Sequence, residues 1–261
     1  MAGIKGWRGR SYDLGRMTLP ELWRAYLTYP TILLYVALAI PSAAAALWLA
    51  AGWQAIFFPV LAVCAVYPLA WYLIHRFILH GRWLYRMDWT AALWKRIHFD
   101  HHQDPHKLDV LFGAPGNTIP TIAVVTLPVG WLIAGWAGAL AAFATGLLTT
   151  CVYEFVHCIQ HLNYKPKSRI VLKMKQLHLL HHFHNENANY GIVSFLPDLV
   201  LGSYFPTARG LPKSASVYNL GYDLDEARRY PKVAALTGAP PRDRPPPAIA
   251  PDINTIARPA A

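Results

Sequence analysis

The sequence predicts an all-α integral membrane protein: four transmembrane helices in two hairpins, with a cytosolic helical cap that carries clustered histidines. Three observations lead there. Two long runs lack any charged residue, the basic residues are distributed one-sidedly, and twelve histidines fall in two short windows. The composition agrees. Of 261 residues, 54% are hydrophobic and only 15% are charged, against a usual ~25% charged. That balance excludes a disordered chain and a water-soluble nucleic-acid binder, and no nucleic-acid partner is expected. The net charge of +10 fits basic residues gathered at the cytoplasmic surface of a membrane.

The charge-free runs come first. Between Arg24 and Arg76 lie 51 residues without Asp, Glu, Lys or Arg, and between Asp109 and Glu154 lie 44 more. One span needs ~20 residues, so each run should fold back once. Gly52-Trp53-Gln54 and Gly135-Trp136-Ala137-Gly138 are the natural tips, giving spans at roughly 30–51, 54–74, 119–135 and 138–156. Pro41, Pro59, Pro68 and Pro128 fall inside them, which membrane helices tolerate when neighbours satisfy the freed carbonyls.

The basic residues test this arrangement. Five lie in 1–24, six in 76–117 and thirteen from Lys165 onward, which accounts for all 24 Lys and Arg. The two tips carry none. The positive-inside rule then puts both termini and the central segment in the cytoplasm. The first apolar run is too long for a signal-peptide core, so the first span is expected to act as an uncleaved anchor.

The segments outside the spans divide the chain. Residues 1–29 read as a cytosolic N-terminal segment, 30–206 as a membrane-embedded catalytic domain, and 207–261 as a C-terminal extension. The Pro-rich stretch at 239–247 cannot form helix or central strand, and disorder is expected from about 235. In 82–97, Trp83, Met87, Thr90, Ala91, Trp94 and Ile97 recur at helical spacing, as in a helix lying in the membrane interface or packed on a cytosolic core. A basic amphipathic helix is expected over 165–183. Cys64, Cys151 and Cys158 make neither a disulfide framework nor a zinc motif.

The histidines carry the chemistry. All twelve fall in 75–106 and 157–184. His75 and His80 form H-x4-H; His98, His101 and His102 form H-x2-H-H; His157 and His161 form H-x3-H; His178, His181 and His182 form a second H-x2-H-H. On a helix, positions i, i+3 and i+4 share one face, so each H-x2-H-H is expected to aim three imidazoles at one spot. H-x4-H turns through about 140° on a regular helix, so His75 and His80 should sit at a frayed helix end. Ten imidazoles are too many for one ion and suit two ions with about five nitrogens each. Imidazole takes zinc, copper, iron or nickel, so spacing alone does not name the metal. Glu154 shares the face of His157 and His161, where it could join the ligands or accept a ligand imidazole's N–H. Asp104 stands three residues after His101 and could play the same part. His106 and His184 fall off the ligand stripe.

These residues resemble the fatty acid hydroxylase superfamily, which includes sterol desaturases, carotenoid hydroxylases and fatty acid 2-hydroxylases. The resemblance runs from about 70 to 206. It rests on the four histidine boxes in order and the charge-free hairpin between them. It also rests on Asn189-Tyr190-Gly191-Ile192-Val193-Ser194, followed by Asp198 and Leu201-Gly202-Ser203-Tyr204. Asp104-Pro105-His106-Lys107-Leu108-Asp109 leans towards the 2-hydroxylases. The resemblance implies two iron ions, with zinc admitted on purification, and O2-dependent hydroxylation of a lipid acyl chain, with carbon 2 favoured. Other branches would oxidise a sterol, carotenoid or alkyl lipid, or desaturate instead. Asn189 joins Glu154 and Asp104 as a residue expected to support the ligands. With no cytochrome b5 domain in the sequence, electrons are expected from a separate donor of cytochrome b5 or ferredoxin type. A non-enzymatic membrane metal-binding protein is the reading outside this class. The histidines should face the cytoplasm, at a bacterial inner membrane or, in a eukaryote, the endoplasmic reticulum.

Overall fold

The structure is a computed structural model, and it describes residues 12–244. The described residues are mostly helical and contain no strand; Asp13 and Lys107 form one isolated bridge. Three helical runs are long and apolar enough to cross a membrane: Pro30–Leu49, Gln54–Leu79 and Leu108–His161.

Helix α1 (Leu19–Leu27) starts in a capping box, in which Glu21 reaches back to Thr18. Pro30 opens α2 (Pro30–Leu49) at its first turn, where a missing N–H costs nothing. The chain turns at 50–53 into α3 (Gln54–Leu73). Both helices show apolar side chains outward: Ile40, Leu47, Trp48, Phe57 and Leu61 are all exposed. Such a surface suits lipid rather than water.

The long helix α7 (Pro115–His161) packs against both α2 and α3. It is not continuous. Ala134 and Gly135 leave helical geometry, Gly135 at φ 57° and ψ −144°, a conformation open to glycine and little else. The two arms approach each other through glycines: a Cβ on Gly130 would meet the Gly138 carbonyl at 2.1 Å, and one on Gly138 the Gly130 carbonyl at 2.2 Å. Small residues at such a contact let backbones come close.

The remaining short elements gather at one end of this bundle. They are α4 (Asp88–Trp94), α5 (Asp100–Gln103), α6 (Leu108–Leu111), α8 (Arg169–Phe183), α9 (Leu196–Val200), α10 (Leu224–Arg229) and α11 (Lys232–Thr237). Two expectations fail here. The helix expected over 82–97 begins only at Asp88, and its Trp-rich face does not lie open for a membrane. Trp94, Ala91 and Thr90 are buried, whereas Trp83 and Trp89 stay exposed. The reason lies far along the chain: Tyr222, Leu220 and Val233 close over Trp94 and Tyr85 to make a separate apolar core. For the same reason disorder does not begin at 235. Helix α11 runs to Thr237 and closes on Gly238 at φ 71°, and Arg242 then bonds Gln103 and pairs with Asp104 at 3.2 Å. The rest of that expected tail, 245–261, and the first eleven residues lie outside the described residues.

Candidate metal centre

The ten imidazoles converge, in an arrangement that helical spacing did not foretell. His75, His80, His98, His102 and His181 form one group; His101, His157, His161, His178 and His182 form a second. Within each group the nearest nitrogens all lie within 4.8 Å of one another. Each H-x2-H-H is therefore split rather than aimed at one spot. His98 and His102 serve the first group, but His101 crosses to the second. His178 and His182 serve the second, but His181 crosses to the first. The i, i+4 pair stays together because the two sit nearly in line on a helix, and the i+3 residue is turned well away from at least one of them.

The H-x4-H pair is solved by the backbone. Ile74–Leu79 is a π-helix, with the His80 N–H donating to the His75 carbonyl at 3.1 Å. An i→i+5 turn of this kind brings residues five apart over one another. No frayed end is needed, and the two Nε2 atoms lie 3.2 Å apart. A second π-helical stretch, Lys95–Phe99, carries His98. No residue in either stretch announces it in the sequence.

The nitrogen geometry fits metal better than hydrogen bonding. His98 and His80 Nε2 are 2.8 Å apart; His178 Nε2 lies 3.0 Å from His157 Nε2 and 2.9 Å from His161 Nε2. Two nitrogens each ~2.1 Å from one ion at right angles would stand about 3.0 Å apart. Nε2 of His101, His102, His181 and His182 is buried without a hydrogen-bond partner among the described residues, and orphaned buried polar atoms call for an unseen partner. Burial holds His98, His101, His102, His178, His181 and His182 well below the usual imidazole range. They are therefore neutral, the form that binds metal.

The two groups differ in support. In the first, Nδ1–H of His75 donates to the Tyr190 carbonyl at 2.6 Å, that of His181 to Ala188 at 2.8 Å, and that of His102 to Val217 at 3.0 Å. Such bonds fix the tautomer and leave Nε2 to face an ion. In the second, Nδ1 of all five imidazoles lacks a partner among the described residues.

Glu154 is buried beside the second group. Its Oε1 accepts the Gly113 N–H at 3.2 Å, and its Oε2 has no partner among the described residues. Asp104 is half-exposed and pairs with Arg242 rather than with an imidazole. Asn189 bonds the Phe205 backbone in both directions, not a histidine. His106 and His184 join neither group; they donate to the carbonyls of His161 and Leu211. Sequence reasoning missed Lys175, which is buried and caps the carbonyls of Ile159, Leu162 and Tyr164 at the end of the helix bearing His157 and His161.

A cavity of ≈ 520 Å³ adjoins both groups. Its walls are largely apolar, among them Ile74, Ile78, Leu93, Ile97, Val124 and Val125. His75 and His98 reach it from the first group, and His101, His157 and His178 from the second.

Fold and site thus define a helical protein with apolar membrane-length helices and two polyhistidine groups that can hold metal. Residues 60–203 match the model of the fatty acid hydroxylase family, and the chain belongs to that family. The chain is 29% identical over 143 residues to a rat protein named fatty acid 2-hydroxylase, covering 54% of this chain and 38% of that one. It is 30% identical over 146 residues to a yeast ceramide very long chain fatty acid hydroxylase, SCS7, covering 53% of this chain and 36% of that one. It thus matches under two-fifths of the length of these two relatives. A Paracoccus β-carotene hydroxylase is 30% identical over 135 residues, covering 48% of this chain and 74% of its own. A solved structure of scs7p, with only the hydroxylase domain visible, superposes with a TM-score of 0.60 at 26% identity, covering 70% of this chain and 68% of that one.

Proposed function

We propose that the chain is an O2-dependent hydroxylase of lipid acyl chains, acting at a centre of two iron ions held by the ten imidazoles, with carbon 2 the favoured position. The observation that carries this is the apolar cavity, lined in part by imidazoles of both groups. The donor set fits: neutral imidazoles with orphaned nitrogens hold a divalent ion without burying an unpaired charge. Bound iron would supply the oxidation of an unactivated C–H bond by O2. The chain's part is to position and to keep dry. Ile74, Ile78, Ile97, Val124 and Val125 exclude water and align an acyl chain; Asn117, Thr118 and Thr121 supply polar edges on the same cavity. Electrons come from a separate donor of cytochrome b5 or ferredoxin type.

In this reading the chain crosses the membrane four times. The geometry at Ala134–Gly135 supports a reversal of α7, so the turns at 50–53 and 134–138 lie on the far side and the histidines face the cytoplasm. A cysteine at Trp53 or Trp136 should label from outside the cell, and one at Lys107 should not. A carotenoid substrate is the second reading, favoured by the share of the Paracoccus β-carotene hydroxylase that the chain covers. Cells expressing the protein under ¹⁸O₂ decide between them. A fatty acid two mass units heavier than its ¹⁶O₂ product supports the first reading, and a labelled carotenoid with unlabelled fatty acids the second. Label drawn from water, not O2, would sink both.

A further inference from the structure

We infer that Asp198 is a positioning residue for the first imidazole group, acting through the loop 188–191; this rests on the metal-centre reading above. The loop presents two carbonyls to two ligands: Ala188 accepts from His181 Nδ1 and Tyr190 from His75 Nδ1. A carbonyl can set a tautomer only if it is itself held. Asp198 holds the Tyr190 carbonyl's peptide directly, and the Ala188 one through Ser203. Its Oδ1 accepts the Tyr190 N–H at 2.8 Å and the Ser203 hydroxyl at 2.7 Å, and its Oδ2 accepts the Gly191 N–H at 2.8 Å.

The carboxylate is buried, 1% exposed, and no cation bonds it among the described residues. Three donors therefore stabilise its charge, and such charge-assisted bonds are short and strong. The brace continues outward. Ser203 Oγ lies 2.6 Å from the Tyr72 hydroxyl, which accepts from Arg76 at 2.6 Å, and Tyr72 and Arg76 flank His75 on its own helix. On the other side, the Asn189 N–H donates to the Ser203 carbonyl at 2.8 Å, and the Asn189 side chain is tied to Phe205. Asn189 sits at φ 55°, in the left-handed region that Asn enters more readily than most non-glycine residues. Asp198 thus sits behind two ligands from opposite halves of the chain: His75 precedes the charge-free hairpin and His181 follows it. Among the described residues, no such loop braces the second group, whose Nδ1 atoms lack partners.

The test uses the full chain in detergent, stripped of metal and titrated with Co(II), with bound cobalt counted and its visible absorption followed. Asp198→Asn keeps the volume but replaces one acceptor by an N–H₂ facing an N–H. One of two ions should bind about 10–100-fold more weakly, the other with wild-type affinity. Backgrounds identify which. With His101→Ala, where the tight site left is the first, adding Asp198→Asn should weaken it by the same factor. With His181→Ala, where the tight site left is the second, it should change nothing. Should Asp198→Asn fail to fold, Ser203→Ala should give the same one-sided pattern with a loss of a few-fold. Equal weakening of both ions, or of neither, overturns the inference. Wild-type protein binding fewer than two cobalt ions overturns instead the metal-centre reading on which it rests.

Discussion

The two imidazole groups are built to one plan and supported in two ways. Each takes two histidines from a membrane-length helix or its end, an i, i+4 pair from an adjoining cap helix, and one crossed-over residue from the other half of the chain. In the first group, three of five Nδ1 atoms donate to backbone carbonyls; in the second, none has a partner among the described residues. The second group instead adjoins Glu154, whose Oε2 has no partner among the described residues, and sends three imidazoles to the cavity against two from the first. If each group holds an ion as proposed, the first has its imidazoles tied to the backbone and the second does not.

The crossover gives the largest expected effect. His101→Ala or His181→Ala should reduce product to background, since each deletes a nitrogen from one group. The metal count should distinguish them: His101→Ala weakens the second group and His181→Ala the first, the reverse of what their neighbours in sequence suggest. If His101→Ala instead emptied the first group, the partition would be wrong. Next in size is the order of metal loss. A chelator should remove one ion about 10–100-fold more readily than the other, and the ion lost first should be that of the second group. Extraction in a single phase would erase the difference in support. Glu154→Gln should leave two ions bound and lower product formation about 10-fold; an unchanged rate would remove Glu154 from the second group's account.

Acid gives the smallest effect per group. Burial keeps the cap imidazoles neutral in the folded state, while the unfolded chain protonates near ~6.5. Below that pH the unfolded state binds more protons, so stability is intact above ~6.5 and falls by about 1.4 kcal/mol per pH unit for each such imidazole. Thermal unfolding of metal-free protein should be flat from pH 7 to 8 and drop steeply from 6.5 to 5. The carbonyl bonds of His102 and His181 oppose the effect of burial. Histidine NMR should therefore find His102 and His181 protonating before the second-group imidazoles, and simultaneous protonation would contradict the comparison.

Much of this was legible in the sequence, for identifiable reasons. Charge is costly in hydrocarbon, so the runs after Arg24 and Asp109 mark the apolar helices without any knowledge of packing. Helical periodicity is local, so the spacing of His157 and His161, or of His178 and His182, places each pair on one face. The family resemblance lies in the same boxes. What tertiary structure alone decided depends on contacts between distant residues. The π-helical turn that aligns His75 with His80 carries no local sequence signal, and the crossing of His101 and His181 follows from how helices meet. The burial of Trp94 under Tyr222, the ties of Arg242 to Gln103 and Asp104, and the bracing of Tyr190 by Asp198 join residues 8 to 139 positions apart. A sequence fixes which side chains a helix shows on each face; which neighbour that face meets is set by the whole chain's packing, and there the two groups became different.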